Sequence, residues 1–384
     1  MHVLIVASGY PSNKCPLNGI FEFDQAKALA EAGCKVVFAA IDLRSIRRWR
    51  KWGIEHLTKD GVEIYAINIP LGRGPHKLLK ICGQWGLSRL YSVIEKAHGK
   101  PDVIHAHFLD IGEIALCLRT TVNAKFFITE HWSDMNKDIS EMQPWVAVSA
   151  AKTYSSFDKV ITVSQPLAEN ISRFFNANAL VIPNMLDEIF VRTDTKKINQ
   201  HNKFIFIFVG NLIERKRPLQ CIKAFYNAFI NYNFIFKGRK VELKIIGNGP
   251  LFAQCKEFVS ELSLSEHIKL LGQMRRQQIA EKLLESDCFV LPTERETFGV
   301  VYIEAMACGL PVIATKCGGP ESFITPENGI LIPVDNDLAL IQAMTAMLEH
   351  AAEFDRQTIR KNVLDKFSPT FVAERIVNIY TTKG

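Results

Sequence analysis

The stretch LPTERETFGVVYIEAMACGLP, residues 291–311, decides the fold class of this chain. It begins inside an apolar run, residues 288–292, whose length and composition are typical of a buried parallel strand. A loop then leads to Gly299, and an apolar helical segment follows that ends at Gly309. Another short apolar run, residues 312–315, comes next. The order strand, loop, helix, strand predicts a parallel α/β unit.

The same alternation continues outward from this unit through both halves of the chain. The predicted strands are residues 2–7, 35–40, 103–106, 125–129, 159–163 and 179–182, then 204–209, 241–246, 268–271, 288–292, 312–315 and 329–332. Amphipathic helical segments, such as 25–32, 217–228 and 250–262, separate them. We predict an α/β protein with two Rossmann-like domains facing each other across a cleft, residues 1–185 and 203–367, joined through residues 183–202.

Length and composition agree with two globular domains. The chain has 384 residues, of which 48% are hydrophobic and 22% charged, which excludes a disordered or fibrous protein. No window offers about 18 apolar residues free of charge and proline, so we expect no membrane span. Nine cysteines without a close pair argue against a disulfide framework or a structural zinc site and favour the cytoplasm.

The net charge of +6 is unevenly distributed. Residues 1–100 contain 15 basic and 8 acidic side chains, so the rest of the chain is close to neutral. A nucleic-acid-binding protein would usually spread its positive charge more widely. The asymmetry favours a local anionic partner for the first half and no nucleic acid.

Backbone donors and two carboxylates meet at the start of the helix after Gly299. The backbone N–H groups of Phe298, Gly299 and Val300 stand at the start of the helix, where no carbonyl within the helix can accept from them. We therefore predict an anion site there. Glu304 lies one turn along the helix, roughly 5–8 Å from that site, about the distance from a nucleotide's diphosphate to its ribose. Glu296 lies in the loop on the other side. The alternative is a solvated carboxylate pair that only stabilises the helix dipole.

Glu296 and Glu304 form an E-x7-E spacing within ETFGVVYIEAMACGLPVIAT, residues 296–315. This motif resembles the donor-binding signature of the retaining glycosyltransferases of family 4, which have two Rossmann-like domains in the GT-B architecture. The resemblance implies that Glu304 binds the ribose of a nucleotide sugar and that Glu296 contacts hydroxyls of the donor sugar. It also implies that the Phe298, Gly299 and Val300 amides contact the donor.

A basic loop, FVGNLIERKR at residues 208–217, resembles the strand and G-R-L-x-x-x-K-G loop of the same family. By that match Lys216 pairs with the donor diphosphate. Asn211 stands where the family has Arg, and Arg217 where it has Gly. Because Asn211 cannot supply a cation, we expect Arg215 or Arg217 to do so. Further segments resemble the family in the same order, at residues 181–190, 246–250, 271–274 and 367–380, the last implying that a helix in 368–384 packs back on the first domain.

The first half resembles the family more loosely. In DVIHAHF, residues 102–108, the second histidine is His107, which the resemblance places beside the donor sugar. His131 is a further candidate for the same region. Gly19 is the one glycine that remains of the family's Gly-Gly loop, which contacts the diphosphate. We expect no metal site at His105 and His107, because no third ligand cluster accompanies them.

A basic stretch with tryptophan, DLRSIRRWRKW at residues 42–52, forms its own candidate surface. At 100° per residue Leu43, Ile46, Trp49, Gly53 and Leu57 share one sector of a helix, which predicts an amphipathic helix. It could lie on an anionic membrane surface, or pack as an ordinary surface helix on its own domain. The membrane contacts would be Arg44, Arg47, Arg48, Trp49 and Lys51. Residues 76–80 and Trp85 would extend them.

Taken together, the resemblance implies a metal-independent retaining hexosyltransferase with Lys216, Glu296 and His107 as its catalytic group. It would need no cofactor, and its substrates would be a nucleotide-diphosphate sugar and a glycan or lipid-linked acceptor for cell-surface polysaccharide. The first domain would bind the acceptor and the second the donor, in the cytoplasm or on the inner face of the plasma membrane. Two rivals stay open: a nucleotide-sugar epimerase and a non-catalytic, membrane-docked nucleotide-sugar binder.

Overall fold

The computed structural model describes residues 1–13, 15–44, 50–72, 74–193, 203–230 and 240–382. The chain divides into two compact units. The first unit is Met1–Met185 together with Pro369–Gly384, and the second is Leu186–Ser368.

The first unit is built on an eight-stranded sheet. Its strands are β1 His2–Ala7, β2 Lys35–Asp42, β3 Gly53–Lys59, β4 Val62–Asn68, β5 Val103–His107, β6 Lys125–Glu130, β7 Lys159–Thr162 and β8 Ala179–Val181, in the order β3-β4-β2-β1-β5-β6-β7-β8. Among the described strands of this sheet, only β3 runs antiparallel to its neighbour. All six residues of β1 are buried, as expected for a central parallel strand covered on both faces.

The second unit contains a six-stranded parallel sheet. Its strands are β9 Lys203–Val209, β10 Lys240–Ile246, β11 Ile268–Gly272, β12 Cys288–Leu291, β13 Val312–Thr315 and β14 Gly329–Ile332, in the order β11-β10-β9-β12-β13-β14. The order reverses direction between β9 and β12. In open parallel sheets ligands bind beyond the carboxyl ends of the strands at such a reversal.

Helices connect the strands of both sheets. They are α1 Ile20–Glu31, α2 His76–His98, α3 Leu109–Ala115, α4 Pro144–Ser155, α5 Gln165–Phe175, α6 Glu188–Arg192, α7 Pro218–Phe225, α8 Phe252–Glu261, α9 Arg276–Leu284, α10 Val300–Ala307, α11 Asp337–His350, α12 Arg356–Phe367 and α13 Pro369–Thr381. Helix α13 belongs to the first unit, where its buried residues Ile376 and Tyr380 join the core with Ile5 and Phe38 of β1 and β2. No helix among the described residues is both long and apolar enough to cross a lipid bilayer.

The two α/β units confirm the predicted fold class, and all twelve predicted strands are present to within one or two residues at their ends. The sequence-based assignment missed β3 and β4. They are joined at Asp60 and Gly61, both with positive φ, which is the geometry of a tight two-residue hairpin turn.

The predicted amphipathic helix is wrong where the structure can be compared with it. Residues 53–59 form β3, because the Asp60-Gly61 turn pairs this segment with β4. Arg44 makes an isolated β-bridge with Pro70, and Lys51 is an exposed residue outside any helix. The predicted membrane contacts Arg47, Arg48 and Trp49 lie outside the described residues.

Candidate active site

Backbone hydrogen bonds bring two loops of the second unit together. One loop follows β9 and contains Arg215 and Lys216; the other follows β12 and leads to α10. The Arg215 carbonyl accepts from the Glu294 N–H at 2.8 Å and from the Thr293 hydroxyl at 3.0 Å. This pairing positions the basic loop beside Glu296, although 80 residues separate them in the chain.

Two cations converge on one carboxylate in this arrangement. The Lys216 ammonium forms an ion pair with Glu296 Oε2. Arg215 Nη1 lies 3.7 Å from the same oxygen and donates to the Arg295 carbonyl at 2.5 Å. The Lys216 and Glu296 side chains are only 12% and 13% exposed, so water screens their charges little. The three side chains carry a net positive charge, which suits an anionic ligand.

Arg217 is directed to other partners. Its guanidinium lies 2.9 Å from Asp335 and 3.3 Å from Glu294. Its backbone has φ 52° and ψ 45°, the left-handed conformation that glycine adopts most easily. Arg217 thus has a backbone conformation that favours glycine, the residue that the resemblance expects at this position. Asn211 lacks the positive charge that the resemblance expects at its position, and Arg215 or Arg217 could supply it. Of these two arginines, Arg215 is the one beside Glu296.

The start of α10 is shaped by close backbone approaches. Gly299 precedes the helix with φ 87°, and a Cβ there would lie 2.6 Å from the Tyr302 ring. Gly319, which the sequence interpretation did not single out, packs against the backbone of Phe298: a Cβ there would lie 2.3 Å from the Phe298 nitrogen. Its N–H donates to the Glu296 carbonyl at 2.8 Å. The two adjacent glycines at 318 and 319 are the feature of the sequence that could have indicated this close backbone contact.

The remaining predicted donor-site residues lie on the same helix start. Phe298 and Val300 flank Gly299, and the first N–H groups of a helix have no intrahelical acceptor. Glu304, the fifth residue of α10, is 7% exposed. The structure therefore brings Arg215, Lys216, Glu296 and the 298–300 backbone together. Glu304 lies one helical turn beyond them.

In the first unit three histidine rings lie in a row. The His105 and His107 ring centroids are 4.7 Å apart, and those of His107 and His131 are 5.3 Å apart, with nearly parallel planes. His107 Nδ1 is 3.0 Å from His131 Nε2, and its Nε2 is 3.4 Å from the Gln25 amide nitrogen. His105 is hydrogen-bonded to the hydroxyls of Thr129 and Tyr380. Sequence reasoning missed Gln25, whose position depends on how α1 packs on β5.

Burial keeps these histidines neutral. Desolvation lowers the pKa of His105 to about 3 and the pKa of His131 to about 4. Desolvation also lowers the pKa of His107 well below its ordinary value. The His107 side chain is fully buried, so the sugar contact predicted for it has no exposed atom in this structure. His131, which is partly exposed, is the accessible member of the row.

Gly19 lies at the amino end of α1 with φ 69°. A Cβ there would lie 2.2 Å from the Gly9 carbonyl oxygen, and a Cβ on Gly9 would overlap the Asn18 amide. The loop after β1 therefore folds tightly onto the start of α1. Among the described residues, no group of three or more His, Cys, Asp or Glu side chains could hold a metal ion.

Two family models together match most of the chain. Residues 23–185 match the "Glycosyl transferase 4-like domain" and residues 191–363 match "Glycosyl transferases group 1". TuaC of Bacillus subtilis, whose name assigns it to teichuronic acid biosynthesis as a glycosyltransferase, is 27% identical over 90% of this chain and 88% of its own. The N-acetyl-alpha-D-glucosaminyl L-malate synthase of Bacillus anthracis is 27% identical over 59% of this chain and 58% of its own.

Solved structures with the same fold cover nearly the whole chain. Sucrose-phosphate synthase from Thermosynechococcus elongatus superposes with a TM-score of 0.79 at 21% identity, over 99% of this chain and 98% of that one. Anabaena HepE in complex with UDP has a TM-score of 0.72 at 18% identity, over 98% of both chains. The family models and the two α/β units lead to one conclusion: the chain is a glycosyltransferase of the GT-B fold, with a glycosyl transferase 4-like domain followed by a group 1 glycosyl transferase domain.

Proposed function

We propose that this enzyme transfers a hexose from a nucleoside-diphosphate sugar to an acceptor hydroxyl with retention of configuration. The observation that carries the proposal is the group of Lys216, Arg215 and Glu296 beside the start of α10. Cations and backbone N–H groups at one point match a diphosphate leaving group, whose negative charge grows as the sugar–oxygen bond breaks. Lys216 and Arg215 neutralise that charge, a role that a metal ion plays in other enzymes.

Glu296 and Glu304 complete the donor site. Glu296 accepts hydrogen bonds from the sugar hydroxyls, and its ion pair with Lys216 holds both side chains in position. Glu304 accepts from the ribose hydroxyls one helical turn away. Gly19 and His107 of the first unit keep the roles that the resemblance gives them, diphosphate contact and sugar positioning. Because His107 is buried, it acts through His131, which its Nδ1 faces at 3.0 Å.

The names of the relatives support a proposal for the acceptor and the pathway. TuaC is named for teichuronic acid biosynthesis, and other relatives are named as phosphatidylinositol N-acetylglucosaminyltransferase subunits. We therefore assign this enzyme to the assembly of a cell-surface or lipid-linked glycan in the cytoplasm, with the acceptor bound by the first domain, residues 1–185. The second domain, residues 203–367, binds the nucleotide sugar.

The first test is ligand-detected NMR of the pure protein with UDP-, GDP- and ADP-sugars. We expect one donor to bind, and Glu304→Ala to abolish its signal. Turnover is then measured with lipid-linked sugars as acceptors. Lys216→Ala should lower it about 100-fold, since loss of one charge-stabilising group costs about 3 kcal/mol. Lys223→Ala, which removes an exposed lysine paired with Asp337, is the matched control and should stay within about twofold.

The same experiments separate the rivals. An epimerase would convert the donor without any acceptor, whereas a transferase needs one. A non-catalytic binder would retain donor binding after Glu296→Ala and show no turnover in either form. Normal turnover of Lys216→Ala at saturating donor would contradict the assignment of the diphosphate site.

We extend the proposed membrane contact to helix α2, in addition to Arg44, Arg47, Arg48, Trp49 and Lys51. Leu78, Ile81 and Trp85 are 47%, 63% and 60% exposed and share one face of the helix, opposite its buried residues. Lys77 and Arg89 are exposed nearby, and residues 76–94 contain no acidic side chain. Exposed apolar groups among basic ones fit an anionic lipid surface, with roughly 1 kcal/mol gained per basic residue.

Vesicle sedimentation tests this surface. We expect binding to vesicles that contain phosphatidylglycerol, weaker binding to pure phosphatidylcholine, and at least about tenfold weaker binding for Ile81→Ser combined with Trp85→Ser. Val148→Ser, which removes an 80% exposed apolar side chain from α4, is the control. Equal vesicle binding of the double variant, or a change in its oligomeric state instead, would overturn the assignment.

A further inference from the structure

The hairpin of β3 and β4 lies beside the loop that joins β1 to α1, residues 8–19. Two basic side chains at this hairpin donate to backbone carbonyls of the loop. Arg50 Nη2, just before β3, donates to the Tyr10 carbonyl at 2.6 Å, and Lys59 Nζ donates to the Pro11 carbonyl at 3.2 Å. The start of the loop is therefore fixed by a segment that lies 40 and 48 residues away in the chain.

Tyr10 is held at its ring and its hydroxyl as well as at its carbonyl. The Arg50 guanidinium lies over the Tyr10 ring, 3.9 Å from the centroid, which is a cation–π contact. The Tyr10 hydroxyl donates to Glu55 Oε2 at 2.8 Å, and the Asn68 amide donates to the same oxygen at 3.2 Å. Tyr10 is only 4% exposed. Because each part of Tyr10 has its own partner, the structure favours one position of this residue.

Arg50 is itself fixed by a buried carboxylate of the sheet. Its Nε lies 3.0 Å from Oδ2 of Asp42, the last residue of β2, and the two side chains are 5% and 0% exposed. The Asp42 carbonyl accepts from the Ile69 N–H at 2.8 Å. Separating two buried charges is costly, so Arg50 and Asp42 stay paired. The contact of Arg50 with the loop is therefore anchored in the sheet.

Gly19, at the other end of the loop, packs directly on Tyr10. A Cβ on Gly19 would lie 2.2 Å from the Gly9 carbonyl oxygen and 3.2 Å from the Tyr10 Cα. The Gly19 carbonyl accepts from the Phe23 N–H at 3.0 Å, in the first turn of α1. At such close contact a displacement of Tyr10 displaces Gly19 or opens a gap beside it. The position of Gly19 thus depends on the hairpin through one intermediate residue.

We propose that Tyr10 and Arg50 are positioning residues for the donor, because they hold Gly19 where its backbone meets the diphosphate. The inference rests on the proposed function, which gives Gly19 that contact. Neither side chain touches the donor, since both act through the loop. When they are changed, the loop spends less time in the competent position, and the affinity for the donor falls by the same fraction. Turnover of the bound donor stays the same, because binding selects the competent position.

Two conservative variants test the proposal. Tyr10→Phe removes the hydroxyl and keeps the ring, and Arg50→Lys keeps the charge but loses the planar fork that reaches Asp42 and Tyr10 together. We expect each to raise the KM for the donor, and the Kd of whichever of UDP, GDP and ADP binds, about tenfold, with kcat within about twofold. Tyr65→Phe is the matched control. It removes a hydroxyl from the opposite face of the same hairpin, 2.8 Å from His98 Nε2, and should behave as the unchanged protein does.

Hydrogen exchange of the loop gives a readout that does not involve the donor. The Cys15 N–H donates to the Ser12 carbonyl at 3.1 Å, and the Asn18 N–H donates to the Cys15 carbonyl at 3.3 Å. We expect both amides to exchange at least about threefold faster in the two variants, and at the unchanged rate in the control.

Three outcomes would overturn the proposal: exchange in the loop stays the same in both variants, exchange rises but the Kd of the nucleoside diphosphate does not, or kcat falls while KM stays the same. A different result would contradict the proposed donor site itself, namely that the unchanged protein binds none of UDP, GDP and ADP. The donor role of Tyr10 and Arg50 then fails with it, and the exchange rates still decide whether the hairpin holds the loop.

Discussion

Single buried side chains set the chemistry of the first unit. Glu130, at the end of β6, is fully buried, and its Oε1 accepts from the N–H groups of His131 and Trp132 at 2.9 and 2.8 Å. Its Oε2 accepts from the Tyr154 hydroxyl at 2.9 Å. Desolvation nevertheless raises the pKa of Glu130 to about 7 from its ordinary 4.5. This carboxyl group therefore orients the backbone that carries His131 and Trp132.

The raised pKa of Glu130 predicts a pH-dependent stability. Between pH 4.5 and 7 the unfolded chain has released this proton and the folded chain retains it. The stabilisation from Glu130 is thus full below pH 4.5 and is lost as the pH rises to 7. In Glu130→Gln this contribution disappears, so the change in unfolding free energy from pH 5 to pH 7 is more favourable than in the unchanged protein by about 2 kcal/mol.

Urea unfolding followed by tryptophan fluorescence measures this difference, because all five tryptophans lie in the first 145 residues. Glu95→Gln, at a partly exposed position on α2, is the control and should change with pH as the unchanged protein does. The prediction is wrong if Glu130→Gln and the unchanged protein show the same pH dependence.

At the scale of elements, the loops after β9 and β10 contact each other and so support the proposed donor site. Gly247 has φ 145°, and a Cβ there would lie 1.8 Å from the Gly210 carbonyl oxygen. The Gly210 N–H donates to the Ile246 carbonyl at 3.0 Å, and the Leu212 N–H donates to Asn248 at 2.9 Å. The loop that carries Lys216 therefore begins from a fixed backbone contact.

Gly247→Ala should destabilise the second unit by about 3 kcal/mol or more, because the clash is with backbone and adds to an unfavourable φ. The matched change is Gly272→Ala on the neighbouring strand, where φ is 72° and no atom lies within 4 Å of the added Cβ. It carries only the conformational cost, about 1–2 kcal/mol. Calorimetry compares the two; an equal loss would mean that the close approach contributes nothing.

At the scale of the whole molecule, the first unit includes residues that follow the second unit in the sequence. Helix α13 contributes Val372, Ala373, Ile376 and Tyr380 to a core built otherwise from residues 3–185. The Lys125 ammonium also donates to the Tyr380 carbonyl at 2.8 Å. The first unit is therefore completed by residues that follow the second in sequence.

This return predicts that a change near the end of the chain unfolds the beginning. Ile376→Ala should lower the unfolding free energy of the first unit by about 3 kcal/mol, since it empties a buried site. Phe371→Ala, at a 38% exposed position of the same helix, should cost less than about 1 kcal/mol. Tryptophan fluorescence reports the transition. A normal transition for Ile376→Ala would show that α13 is dispensable to the first unit.

Local patterns in the sequence determined the fold class and predicted the residues of the proposed donor site. Apolar runs at strand length, each followed by a helical period, are visible within a dozen residues, because burial on both faces of a parallel sheet demands them. The E-x7-E motif was equally local, and its residues Glu296, Phe298, Gly299, Val300 and Glu304 lie in one loop and one helix. The Asp60-Gly61 hairpin carried a local signal as well, but the basic residues before it suggested a helix instead.

Tertiary structure alone decided which distant groups meet. Lys216 and Glu296 are 80 positions apart, and the choice of Arg215 over Arg217 depended on where Asp335 and Glu294 lie. How helices cover the first sheet decides the burial of His107 and the stacking of the Trp145 ring against the rings of His76 and Trp132. Sequence periodicity reports whether a residue faces a core, because each segment must bury its own apolar side. It does not report which side chain will lie opposite, since that contact is made by packing between segments far apart in the chain.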